Sequence, residues 1–180
     1  MKPAVLAVLA VMLVVLGGVA VVVNRPDSPE PAAVREYVWS VSTDDVIRLA
    51  IELPDADQRL AWKRDDGVWY FDQPDGPEVD PRRWGNGIPL LVSGPAAKRP
   101  IATDVDAEQL KSFGLVSPTM LVDLELADAT SIEIDVGDAT LDRLAYYIRL
   151  RDSPNVYTVP ESWYGVLERL VLEPPYPSPN

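Results

Sequence analysis

The sequence predicts an α+β protein: antiparallel sheets in two related strand-rich units, each closed by a helix, preceded by one N-terminal transmembrane helix. Residues 5–23, VLAVLAVMLVVLGGVAVVV, carry no charge and, at ~1.5 Å per helical residue, match the thickness of a bilayer core. Beyond this run the dominant apolar period is two, the signature of strands with one buried face. The strand-rich part also echoes itself. IELPDAD at 51–57 returns as LELADAT at 124–130, and VWY at 68–70 as VYT at 156–158. In both halves a proline and then a tryptophan open a helix, at Pro81/Trp84 and Pro160/Trp163.

The first element is the anchor, residues 1–24, with Val5, Leu9, Leu13, Leu16, Val19 and Val23 spread along it. Gly18 and Ala20 are small enough for a signal-peptidase site, but a cleavable apolar region is usually ~7–15 residues long and this one is longer, so an uncleaved anchor is expected. No cysteine is present to carry a lipid in its place. Lys2 lies on one side of the run, whereas Arg25 and Arg35 on the other are diluted by Asp27, Glu30 and Glu36. That asymmetry places the amino terminus in the cytoplasm and the domain outside the cell membrane. Residues 25–36 form a proline-rich, semi-rigid linker. The α+β domain spans 37–173, with sub-units of about 37–100 and 101–173, and 174–180 is a proline-rich tail.

Within the domain, Ile47, Leu49, Ile51 and Leu53 alternate with Val46, Arg48, Ala50 and Glu52 as a first strand. Leu60 and Trp62 belong to the next. Asp65-Asp66-Gly67 is a tight hairpin turn leading to Trp69 and Phe71, since Asp-Gly tolerates the positive φ that such turns demand. Asp80 caps a short helix with Pro81 at its first position and Trp84, Ile88 and Leu91 on one face, weakened by Gly85, Gly87 and Pro89. Asp106 and Gln109 form a capping box, and Gly114 supplies the left-handed residue that closes the helix.

Met120, Val122, Leu124 and Leu126 then face one way, as do Ile132, Ile134 and Val136. Keeping Leu124 and Ile132 on one face needs an odd loop, so the hairpin is expected to turn through the three residues Ala127-Asp128-Ala129, with a five-residue loop as the alternative. Ala129 then sits in a left-handed conformation at a cost on the order of 1 kcal/mol. Residues 146–151 and 156–159 continue the sheet, and Pro160 opens a final helix that buries Trp163, Val166, Leu167 and Leu170.

Composition limits the chemistry. The formal charge of −12 argues against a nucleic-acid partner. With no histidine and no cysteine, carboxylates are the only plentiful acid–base groups. Asp123, Glu125, Glu133 and Asp135 alternate with core residues and so lie on the outer face of their hairpin, where Arg149 and Arg151 share the parity. A surface charge ladder accounts for them without catalysis. Neither 104–108 (DVDAE) nor 55–57 (DAD) has the spacing of a calcium loop, and Gly85-Asn86-Gly87 is not a phosphate loop. No catalytic, cofactor-binding or metal-binding residues are assigned. Trp62, Trp69, Trp84 and Trp163 read as core. Tyr37 and Trp39 near the linker, with Tyr176 in the tail, are the candidate partner contacts.

The order of a membrane anchor, Trp69 to Pro74, Phe113-Gly114-Leu115, Ser117-Pro118, an acidic hairpin ending at Gly137, Tyr146-Tyr147-Ile148-Arg149 and Val156-Tyr157-Thr158-Val159 resembles the bacterial domain-of-unknown-function 4340 family. The resemblance spans roughly 38–171. It implies no assigned reaction and no catalytic residues, and a partner among membrane transport or gliding-related ABC systems. Many members are longer than this chain.

The expected function is therefore a membrane-anchored extracytoplasmic accessory or interaction module, with the lipid bilayer and other membrane-complex subunits as its partners. Two alternatives belong to other classes. A carboxylate-dependent hydrolase of envelope polysaccharide needs two carboxylates ~5–9.5 Å apart in a cleft, and a carbohydrate-binding module needs exposed, coplanar tryptophans.

Overall fold

The computed structural model describes residues 37–85, 87–95 and 100–177. Among them no helix is long and apolar enough to cross a membrane; the run at 5–23 and the linker lie outside the described residues. The strands are β1 (Val46–Leu53), β2 (Gln58–Asp65), β3 (Val68–Phe71), β4 (Met120–Leu126), β5 (Ser131–Ala139), β6 (Ala145–Leu150) and β7 (Tyr157–Pro160). The helices are α1 (Pro81–Trp84), α2 (Gly87–Val92), α3 (Ala107–Ser112) and α4 (Glu161–Leu172). The strands form one antiparallel sheet in the order β3-β2-β1-β4-β5-β6-β7. A division into two units is not seen: β1 pairs with β4, and one buried cluster runs across both halves.

Several local expectations are met for the reasons given. In the β2–β3 turn, Asp66 and Gly67 both have positive φ (47° and 81°). Leu124 faces Ile132, and Leu126 N–H donates to Thr130 O across the three-residue loop, with Ala129 at φ 65°. Asp106 accepts from Gln109 N–H while the Gln109 side chain accepts from Asp106 N–H, so both halves of the capping box are present. Gly85, at φ 54°, breaks the Asp80-capped helix into α1 and α2.

Alternation fails at the start of β1. The register between β1 and β4 shifts between Val46 and Arg48, and this bulge swaps the parity of the strand end. Val46 therefore enters the core, and Ile47, expected inside, is only half-buried.

One face of the sheet is covered by α1, α2 and α4. Helix α4 reaches strands of both halves, β1 and β2 as well as β6 and β7, and buries Trp163, Tyr164, Leu167, Leu170 and Val171. Tyr164 joins the expected set, and Val166 is only half-buried. The C-terminal end of α2 leaves carbonyls without helical partners. Two indoles supply donors: Trp39 Nε1 to Val92 O at 2.9 Å and Trp163 Nε1 to Leu91 O at 3.0 Å. The rings of Trp39 and Trp163 meet edge to face, centroids 6.4 Å apart.

On the other face, at the β5–β6 end, Phe113 packs on Tyr147 with ring centroids 4.8 Å apart. Here the β5–β6 register shifts between Val136 and Ala139, and Asp138 N–H donates to Phe113 O at 2.9 Å. A Cβ on Gly137 would overlap that carbonyl, and one on Gly114 would overlap Asp138. These glycines are thus required by a close approach of backbone to backbone.

Two outcomes follow. Ala129→Gly removes the left-handed penalty of an L side chain and should raise stability in urea unfolding by about 0.5–1 kcal/mol, the strain less the extra chain entropy of glycine; a loss of stability would contradict the turn. Burial first, then the charge of Glu168, pushes the Tyr164 phenol up from 10.0 to about 12. A proton held more tightly in the folded state stabilises fully below the ordinary value and is lost as pH rises from about 10 to about 12. Tyr164→Phe should therefore flatten the loss of stability over that interval, measured as urea midpoints against pH.

Candidate functional site

The open face of the sheet gathers the carboxylates. In the β4–β5 register Asp123 lies opposite Glu133 and Leu121 opposite Asp135. Facing like charges destabilise unless cations intervene, and β6 and the residue after it supply them. Arg149 donates to Asp135 Oδ2 at 2.9 Å and Arg151 to Asp135 Oδ1 at 3.1 Å, so each oxygen of Asp135 meets a guanidinium. Arg151 also pairs with Glu133 and reaches Asp123 at 4.0 Å. Arg59 of β2 approaches Asp123 at 3.6 Å and Glu52 at 3.8 Å. A second group on the same face joins Arg48 to Asp72 at 2.6 Å, with Lys63 at 3.8 Å.

Asp135 is the one buried charged residue among the described residues, only 4% exposed. Partial burial pulls the Arg151 guanidinium down, but its hydrogen bond to Asp135 and the charges of Asp135, Glu133 and Asp123 outweigh that and hold it above its usual value. Proton transfer by Asp135 or Glu133 requires breaking an arginine hydrogen bond, whereas Asp123 Oδ1 is buried without a hydrogen-bond partner. Among the described residues no group of three or more acidic side chains is placed to hold a metal.

All five tryptophans are buried, which leaves no flat aromatic platform for a sugar among the described residues. Trp39, a candidate partner contact on sequence, is 7% exposed, because Val92 O and Trp163 draw it into the core. Tyr37 is exposed. Tyr176 is half-used: it is exposed on one side and stacked on Phe71, rings 4.2 Å apart and 9° from parallel. The tail before it is docked as well, with Asp80 N–H donating to Pro175 O and Arg83 to Glu173 O and Pro174 O. Arg83 and Arg169 line a cavity of about 420 Å³ beside that strap.

Sequence reasoning missed a cleft of about 620 Å³ between the β2–β3 hairpin and the α1–α2 break. Trp69 and Trp84 line it, rings 5.1 Å apart and tilted. Its rim carries Val68, Leu90, Glu78 and the pair of Asp44 with Arg64 at 3.3 Å. Arg64 also donates to the carbonyls of Thr43 and Asp44. The available signal was the helix interrupted at Gly85 and Pro89 next to a tight turn, which was read only as weakness.

An antiparallel sheet with one helix-packed face, one arginine-paired face and a cleft at one corner defines a small α+β domain. Residues 96–165 match the family model described as Domain of unknown function (DUF4340). The matched span holds Phe113-Gly114-Leu115, Ser117-Pro118, Gly137, Tyr146 to Arg149 and Val156 to Val159, while Trp69 to Pro74 and the apolar run at 5–23, on which the resemblance also rests, lie outside it. No curated protein and no solved structure matches the chain.

The ladder gives a measurable outcome. Asp135→Ala leaves two guanidinium groups against a buried position and should cost about 2–4 kcal/mol in urea unfolding, below the ceiling for a fully buried pair because both arginines reach solvent. Asp44→Ala, which breaks an exposed pair, should change stability by no more than about 0.5 kcal/mol. Equal effects would contradict the special place of Asp135.

Proposed function

We propose that the chain is a single-pass protein of the cell membrane, amino terminus in the cytoplasm, whose extracytoplasmic domain is a non-enzymatic accessory or interaction module of a membrane complex, such as a transport system. The observation that carries this reading is the charge-free run at 5–23, joined through a proline-containing linker to a domain that begins near residue 37. A short stiffened spacer keeps such a domain close to the bilayer and to its neighbours there.

The engagement of Asp123, Glu133 and Asp135 by arginines weighs against the hydrolase alternative, and the buried tryptophans weigh against a sugar-binding module. We also read the two halves as related units meeting at β1 and β4. The pairs Leu49/Leu124 and Ile51/Val122 exchange about a point between Ala50 and Asp123, which is the relation that the repeated IELPDAD and LELADAT segments require.

Two measurements test the function. The full chain should stay with membranes through alkaline carbonate washing, and deletion of residues 2–24 should release it. After gentle detergent extraction the full chain should co-purify with other membrane proteins in fixed ratio. Recovery of a monodisperse monomer, repeatedly alone, would overturn the accessory-subunit reading.

A further inference from the structure

We propose that the cleft between the β2–β3 hairpin and the α1–α2 break is the docking surface of this module, and that its occupant is an extended segment of a partner protein with aliphatic or prolyl side chains beside lysine or arginine. The inference rests on the interaction-module reading and names the place and the partner chemistry.

The shape and lining come first. At about 620 Å³ the cleft lies within the ~300–1,000 Å³ range of ligand clefts, where apolar walls combine with a few polar groups. Trp69 and Trp84 border the cleft with only narrow exposed edges, 7% and 5%, and Leu90 on the rim is 66% exposed, a large apolar side chain without cover. Aromatic-lined grooves favour extended and prolyl segments, because a chain that is already extended loses little entropy on docking.

Charge then selects among occupants. The cation lining the cleft, Arg64, is already met by Asp44 and by two backbone carbonyls. Glu78 on the rim has no ion pair among the described residues, and Asp65 and Asp66 adjoin the lining at Gly67 and Val68. Arg82 and Arg83 adjoin the lining at Pro81 and Trp84, with Arg83 held by two tail carbonyls, and Glu78, Asp65 and Asp66 outnumber them, so the complementary segment is basic. The same argument disfavours a second copy of a chain carrying −12, and the acidic linker with Asp27 and Glu30. The chain's own tail is held elsewhere, by Asp80, Arg83 and Phe71.

The test uses the full chain in detergent and a fluorescein-labelled peptide of repeated lysine–leucine–proline triplets, followed by anisotropy, beside a counterpart with glutamate for lysine. The basic peptide should bind at least about tenfold more tightly than the acidic one, about 1.4 kcal/mol or more. Glu78→Lys and Leu90→Ser, both at exposed positions, should each weaken it by about tenfold. Glu125→Lys makes the same charge change at an exposed position on β4 and should leave binding unchanged. Equal weakening by Glu125→Lys, or equal binding of the acidic peptide, would reduce the effect to bulk charge and overturn the proposal. In the membrane extract, partners that stay bound to the Glu78→Lys, Leu90→Ser double variant would overturn the cleft as their site while leaving the module reading standing. Absence of partners from the unmodified chain would instead sink that reading.

Discussion

The rest of the structure depends on the pairing of β1 with β4. Among the described residues it is the only strand pairing that joins the two halves of the sheet, because every other strand pairing is between neighbours in sequence. On the helix-covered face it sets Leu49 beside Leu124 and Ile51 beside Val122, all of them fully buried. Without it, β1–β3 would be a three-stranded meander with an open edge, and α4 would lose the strands at one end of its path. The closure is entropically costly, since the ends of a long loop must meet before any burial is gained. Helix α4 offsets that cost by packing on both halves at once.

What the sequence made legible was local. Period two identified the strands, and the register of the β4–β5 hairpin followed from parity alone because Leu124 and Ile132 had to share a face. Caps were legible for the same reason: Asp106 and Gln109 are three residues apart, and their bonds need no distant partner. What stayed hidden was set by contacts across the chain. Val46 and Ile47 exchange places because a bulge belongs to a pair of strands rather than to either one. Trp39 looked free, but its acceptor is Val92 O, 53 residues on. Tyr176 read as part of a terminus, and its partner, Phe71, lies on the edge strand of the opposite half.

The candidate site divides along the same line. Its outward carboxylates and the arginines that answer them were legible as parity, because Asp123, Glu133, Asp135, Arg149 and Arg151 all follow from strand alternation. The aromatic cleft was not, because Trp69 sits on a strand and Trp84 on a helix, and nothing in either segment alone brings the two rings together.

The two faces of the sheet constrain what the domain can offer a partner. On one face the apolar side chains are covered by the domain's own helices. On the other, the arginines are committed to Asp135, Glu133, Asp123 and Asp72. A partner seeking those charges would first have to strip an existing pair and desolvate what remained, a cost that the new contact does no more than recover. The recognition proposed for this domain therefore falls to the margins of the sheet, where, among the described residues, apolar area is uncovered and charge is unpaired. At the β2–β3 corner both conditions hold together, in Leu90 and Glu78. The hydrophobic economy that closes the core thus also decides where this domain has binding energy left to give.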